Sequence, residues 1–87
     1  MTKKAKNESK VDVIDEWPRG GSDVVRVSLT KYVGRDVIDV RTWWLDEDGE
    51  RKPSTKGITL SVRYLPRLTQ ALKKARTRAA TLGLLQD

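Results

Sequence analysis

Cysteine and histidine are both absent from this chain of 87 residues. Their absence excludes disulfides, zinc sites built on thiolate or imidazole, haem ligation by those side chains, Cys or His nucleophiles and imidazole bases. Long apolar runs are missing too: nothing approaches the roughly 20 residues that span a bilayer. The stretch Thr2-Lys3-Lys4-Ala5-Lys6-Asn7-Glu8 has no signal-peptide apolar region, and without one the sequon at Asn7-Glu8-Ser9 carries no weight. The expectation is a soluble intracellular protein of the cytoplasm, nucleoid or nucleus with no membrane partner. Length is also in short supply. A chain this size buries only about 60% of its unfolded surface, so it makes one small domain that folds marginally or leans on a partner.

Charge, by contrast, is plentiful. Lys and Arg number 18 against 12 Asp and Glu, a net charge of +6. Residues 1–10 carry four Lys and one Glu, whereas residues 11–60 carry eight basic and ten acidic groups. Residues 61–87 return to six basic groups (Arg63, Arg67, Lys73, Lys74, Arg76 and Arg78) against Asp87 alone. Cationic ends around a nearly balanced middle attract polyanions, either nucleic acid or an anionic surface.

Hydrophobic periodicity divides the chain. Residues 1–10 are too polar to fold and are expected to be a disordered basic tail. Val11 to Asp15 suits a short edge strand, which Pro18-Arg19-Gly20-Gly21-Ser22 should break as a loop. From Asp23 to Tyr32, Val25, Val27 and Leu29 alternate with Arg26, Ser28, Thr30 and Tyr32. Val33-Gly34 is a short connection. Arg35 to Leu45 sets Arg35, Val37, Asp39, Arg41 and Trp43 against Asp36, Ile38, Val40, Thr42 and Trp44. Asp48-Gly49 signals a hairpin, and Glu50 to Leu60 returns as a strand that Pro53 confines to an edge or a bulge.

Beyond residue 60 the period changes. Leu65, Leu68, Leu72, Ala75, Ala79 and Leu82 recur in steps of three and four, as on an amphipathic helix. Ser61 is its candidate cap and Gly83 its stop, while Pro66 should kink it or divide off a short leading turn. The predicted fold is α+β: a twisted four-stranded antiparallel sheet and one C-terminal helix, a domain over 11–82 with a tail over 83–87. A seam of Leu65, Leu68, Leu72, Ala75 and Ala79 on an otherwise polar helix suits a homodimer, the alternative being packing on the chain's own sheet.

Little here supports catalysis. Asp46-Glu47-Asp48-Gly49-Glu50 has the acidity of a calcium loop but Gly57 where the terminal Glu belongs, so it reads as a hairpin tip; no metal or other cofactor is implied. No nucleophile–base pairing is visible. A binding role is better supplied. Arg26 and Tyr32, then Arg35, Arg41 and Trp43, place cations and aromatics on one sheet face, and Arg51, Lys52 and Lys56 add charge along a hairpin arm. Single strands are held by that mixture, bases stacking on rings while cations track phosphates.

The run Val27-Ser28-Leu29 to Tyr32, Gly34, Val37-Ile38-Asp39-Val40-Arg41-Thr42-Trp43-Trp44, Asp48-Gly49-Glu50, Lys52-Pro53 and Lys56-Gly57-Ile58-Thr59-Leu60-Ser61 resembles the single-stranded-DNA-binding domain of the transcriptional coactivator positive cofactor four. Bacterial relatives are closer still, through Asp39 to Trp43 and Lys56 to Leu60, and the match spans roughly residues 24–75. The resemblance implies a kinked helix, a helix-mediated dimer and single-stranded DNA bound with little sequence preference, in transcription, replication or repair. Carried over, the family's aromatic contacts fall on Tyr32 and Trp44 and its cationic contacts on Arg35, Arg41, Lys52 and Lys56. Thr30 and Val33 depart from it, standing where the eukaryotic coactivator has cations. Trp43 matches the Trp of bacterial relatives, and strict alternation groups it with Arg41. Only a bulge or strong twist would bring Trp44 to that face. Competing expectations are an RNA-binding protein of the same fold and a protein-interaction module that uses the helix.

Overall fold

The computed structural model describes residues 11–85. The basic tail expected over 1–10, and the end of the tail expected over 83–87, lie outside the described residues. Four strands, β1 (Asp12–Gly20), β2 (Asp23–Tyr32), β3 (Arg35–Leu45) and β4 (Arg51–Ser61), precede a single 3-10 turn (Val62–Tyr64) and one helix, α1 (Leu65–Thr81). The strands form one antiparallel sheet in chain order, β1-β2-β3-β4. This is the predicted meander and helix.

β2 and β3 form its regular centre. Their pairing runs unbroken from Val24 opposite Trp43 to Tyr32 opposite Arg35. Val33 and Gly34 alone close the hairpin, with φ of 50° and 75°. Two successive left-handed residues are the hallmark of a type I′ turn, whose twist matches that of the strands it joins.

β1 departs from expectation. It continues through Trp17, Pro18 and Arg19 to Gly20, leaving only Gly21 and Ser22 as the turn. Pro18 stands opposite Val24. An outer strand tolerates proline because half of its backbone groups face away from the ladder. The pairing accommodates the irregular sequence with register shifts between Val13 and Asp15 and between Pro18 and Gly20.

β4, the other edge, carries the bulge that Pro53 foreshadowed. Arg41 faces Gly57 and Trp43 faces Pro53, so Ser54, Thr55 and Lys56 all stand against Thr42. A side chain at Gly57 would have no room: a Cβ there would lie 2.5 Å from the Val40 carbonyl oxygen and 2.7 Å from Arg41 Cα.

Pro66 divides rather than bends the last third. The Ser61 hydroxyl accepts from the Arg63 N–H at 3.4 Å to cap the 3-10 turn, and Pro66 falls in the first turn of α1. No helical N–H is required there, and proline's fixed φ suits the position. At the far end Gly83 (φ 74°) donates to Ala80 O at 3.0 Å and Leu84 to Ala79 O at 2.8 Å. This pair of bonds is the Schellman termination expected of a glycine just past a helix.

Burial concentrates on the middle of β2 and β3, where Ser28, Val37 and Ile38 are closed off from solvent. α1 buries none of its residues. The protein is one open sheet with a helix leading away from it.

Candidate nucleic-acid interface

Side chains of directly paired residues share a face. Pairing therefore gathers Arg26, Tyr32, Arg35, Asp39, Arg41 and Trp43 on one side of the sheet, with Glu16 and Thr59 beside them. The opposite side carries Val25, Val27, Leu29, Ile38, Val40, Ile58 and Leu60, together with Trp44 and Lys52. Alternation along β3 is unbroken, because the extra residues of the bulge belong to β4. Tyr32 and Trp44 thus lie on opposite faces and at opposite ends of the sheet. Arg35, the partner of Tyr32, is about 26 Å along β3 from Trp43 at roughly 3.3 Å per residue.

The cations on the first face are not equivalent. Arg26 Nε donates to Glu16 Oε2 at 2.7 Å while its guanidinium lies over the Trp43 ring, 4.2 Å from the centroid. Trp43 is half-buried beneath it, and its buried indole N–H has no acceptor among the described residues. Any base stacking on that side of Trp43 must displace Arg26.

Arg41 is held still more firmly. Its Nε and Nη2 grip the Asp39 carboxylate at 3.1 and 2.8 Å, and Nη1 donates to the Ser54 carbonyl at 3.0 Å. Thr59 Oγ1 donates to Asp39 Oδ1 at 2.7 Å and accepts from Arg41 Nη2 at 2.9 Å. The hydrogen bonds and charge of Asp39 raise the Arg41 pKa further above its already high value, against the opposing effect of burial. Arg41 is thus neutralised by Asp39 and tied to the bulged stretch of β4.

The exposed residues differ. Tyr32 is 66% exposed, and Arg35 across from it is exposed and has no acidic partner among the described residues. Trp44 is 44% exposed, and its cross-strand neighbour Lys52 reaches Asp46 Oδ2 at 3.1 Å. Lys56 projects from the bulge, exposed and likewise without an acidic partner among the described residues. Arg51 instead donates from Nη1 to the Ser22 carbonyl, linking β4 to the β1–β2 turn. At the hairpin tip, the N–H groups of Asp48 and Glu50 both donate to Asp46 Oδ1, at 2.8 and 2.9 Å. The Glu50 N–H, followed by Lys52 and the Asp48 N–H, holds the Asp46 pKa below the ordinary carboxylate value despite partial desolvation.

Along α1, Leu65, Leu68 and Ala79 are partly covered, whereas Ala75 is exposed and Leu72 is 60% exposed. The apolar seam is open. No described helix is long and apolar enough to cross a membrane.

Strands β2 to β4, the Asp-Gly hairpin and the Lys56-Gly57 stretch lie within one family match. The family model described as Transcriptional Coactivator p15 (PC4) matches residues 20–71. The chain belongs to that family. Solved PC4 homologs share its architecture. One from Burkholderia pseudomallei, in a tetragonal crystal form, is 28% identical with a TM-score of 0.67, over 77% of this chain and 98% of its own. The orthorhombic form gives 29% identity and a TM-score of 0.65, over 75% and 88%. The bacteriophage T5 homolog, described as implicated in recombination-dependent DNA replication, is 19% identical. It aligns with a TM-score of 0.62 over 86% of this chain and 84% of its own, a likeness of fold. The PC4 match takes in β2, β3, β4 and the start of α1, leaving most of β1 and the second half of the helix outside it.

Sequence reasoning missed Glu16, Asp39 and Thr59, the partners that occupy Arg26 and Arg41. Asp39 and Arg41, two apart on one strand, share a face and so carried a visible signal. Thr59 depends on the β4 register and carried none.

Proposed function

We propose that the protein is a homodimeric single-stranded-DNA-binding protein without catalytic activity, acting in transcription regulation or in DNA replication and repair. Such a role belongs in the nucleoid, or in the nucleus of a eukaryote. Membership of a DNA-binding family supports the reading. The observation that carries it is the pair of exposed aromatic–cation couples, Tyr32 with Arg35 and Trp44 with Lys52. Each sets a π-face for a base beside a charge for its phosphate. The two couples lie on opposite faces of the sheet and serve as separate contacts. Lys52 exchanges its Asp46 partner for a phosphate, and Lys56 adds a charge on the arm. Arg26, Arg41 and Arg51 act mainly from behind: the first covers Trp43, the second fixes the bulge that presents Lys56, and the third ties β4 to the neighbouring turn. Pairing through Leu65, Leu68, Leu72, Ala75 and Ala79 would cover the open seam.

Titration of the intrinsic tryptophan fluorescence with single- and double-stranded oligonucleotides tests this. Single strands should bind more tightly, since paired bases offer no faces, and an RNA of the same sequence run alongside separates DNA from RNA preference. Trp44→Ala should weaken single-strand binding by about 1–3 kcal/mol with the fold intact. Trp43→Ala should chiefly lower stability. Equal affinity for duplex and single strand, indifferent to Trp44 and Tyr32, would reject the reading.

A further inference from the structure

α1 has a second unusual face. Its 17 residues contain no Asp or Glu and five cations, Arg67, Lys73, Lys74, Arg76 and Arg78. A helix face that is merely solvated mixes both signs and gains from i,i+4 ion pairs. Here all five are exposed, and none has an acidic partner among the described residues. Lys73, Lys74, Thr77, Arg78 and Thr81 line one shallow groove along the helix. Arg67, Lys74 and Arg78 follow steps of seven and four, forming one stripe about 16 Å long at 1.5 Å per residue. That stripe lies about a third of a turn around the helix from the Leu and Ala seam, so covering the seam leaves it open. Arg76 lies beside the apolar seam and Lys73 between seam and stripe. Two of the stripe's three cations, Lys74 and Arg78, lie beyond the PC4 match, which ends at residue 71.

We propose that this cationic face of α1 binds the sugar–phosphate backbone of duplex DNA. A straight, rigid row of charge answers the duplex, which presents one negative charge per about 1.7 Å of its axis. Thr77 and Thr81 supply hydroxyls of the kind that contact phosphate oxygens. α1 has no aromatic residue on which an unpaired base could stack, so the helix suits a backbone and the sheet suits exposed bases. Nor does it have the Trp or Phe anchors of helices that lie in a bilayer surface. One dimer can therefore hold a junction, with single strand on the sheet and duplex along α1. The junction rests on the single-strand reading above, whereas the duplex surface does not.

The full-length protein carrying Lys74→Gln and Arg78→Gln together tests this by fluorescence anisotropy. A control carrying Arg19→Gln and Lys31→Gln removes the same charge from the sheet. Three labelled probes are used: a single strand, a blunt duplex, and that duplex with a single-stranded extension. The helix variant should lose about tenfold in duplex affinity at moderate salt. Its slope of log affinity against log salt on duplex should fall by about 1.8 for two lost phosphate contacts. Single-strand affinity should change less than twofold, the control should keep its duplex affinity, and the parent should prefer the extended duplex. Unchanged duplex binding by the helix variant, an equal loss in the control, or a parent that binds phosphatidylserine vesicles but no duplex would each overturn the proposal. A parent that fails on single strands, yet loses duplex binding through the helix substitutions, would overturn the junction and the sheet reading while upholding the duplex surface.

Discussion

Val33 occupies a conformation that its side chain resists. A β-branched residue at φ 50° is a genuine outlier, and such positions cost of order 1 kcal/mol or more. The residue is 81% exposed, so no packing compensates. Val33→Asn would give the Asn-Gly pair that type I′ turns favour. It should stabilise the protein by about 1 kcal/mol, raising Tm by roughly 4–8 °C for a domain of this size. Thermal unfolding measures it, and an unchanged or lower Tm would show that the turn has another shape in solution. Arg41 poses the reverse case. Arg41→Ala would leave the Asp39 carboxylate, only 12% exposed, with Thr59 as its remaining donor. The expected cost is about 2–3 kcal/mol by urea unfolding, partly recovered when Asp39→Ala is added. A cost near zero would return Arg41 to the pool of freely available cations. Asp46 should titrate below the ordinary aspartate value of about 3.9. Because its folded pKa is depressed, its contribution to the hairpin is present above the unfolded value and is lost as pH falls through the folded one. Carboxylate NMR shifts follow this directly, and a midpoint at or above the ordinary value would contradict the hydrogen bonds at the tip.

Among the elements, the bulged strand β4 is the most specialised. Gly57→Ala would press a methyl group into the backbone at Val40 and Arg41, neither of which can swing aside. Overpacking of this kind costs about 1–3 kcal/mol. Because Arg41 reaches Ser54 across the bulge, the substitution should also disturb the arm carrying Lys56. Denaturation and single-strand titration should both register the change, and a silent Gly57→Ala would mean that β4 pairs differently. Much of this level was legible beforehand. β2, β3 and α1 each carry an undiluted period, and Pro53 announced an irregularity in β4. β1 was only half legible: its residues are exposed throughout, so no alternation marks its extent, and Pro18-Arg19-Gly20 has the composition of a loop. For the candidate site, sequence named Tyr32, Arg35, Trp44 and Lys52 one by one, and only the register set each aromatic beside its cation. The spacing of Asp39 and Arg41 already hinted that Arg41 was engaged, but Glu16 and Thr59 reach Arg26 and Arg41 only through cross-strand register, which the sequence did not show.

At the scale of the molecule, the sheet has too little to cover it. Ile58 is 50% exposed, Leu72 60% and Leu82 53%, and α1 contributes nothing fully buried. A second copy would use this surface, placing Leu72 against apolar side chains. Leu72→Asp would then bury an unpaired carboxylate at a cost of several kcal/mol. Sedimentation should find a dimer for the parent and a monomer or unfolded chain for the variant. A parent that stays monomeric at tens of micromolar would leave the seam without a role.

The placement of two prolines bears on what such an open sheet could otherwise become. β1 and β4 form its two edges, and each carries a proline, Pro18 or Pro53, beside a break in register. A strand docking edge-to-edge needs an unbroken row of backbone donors and acceptors, which neither border offers. Sheet extension from molecule to molecule, the route to fibrils, is blocked on both sides. Any association of copies through the exposed apolar side chains would then run face to face, away from the edges.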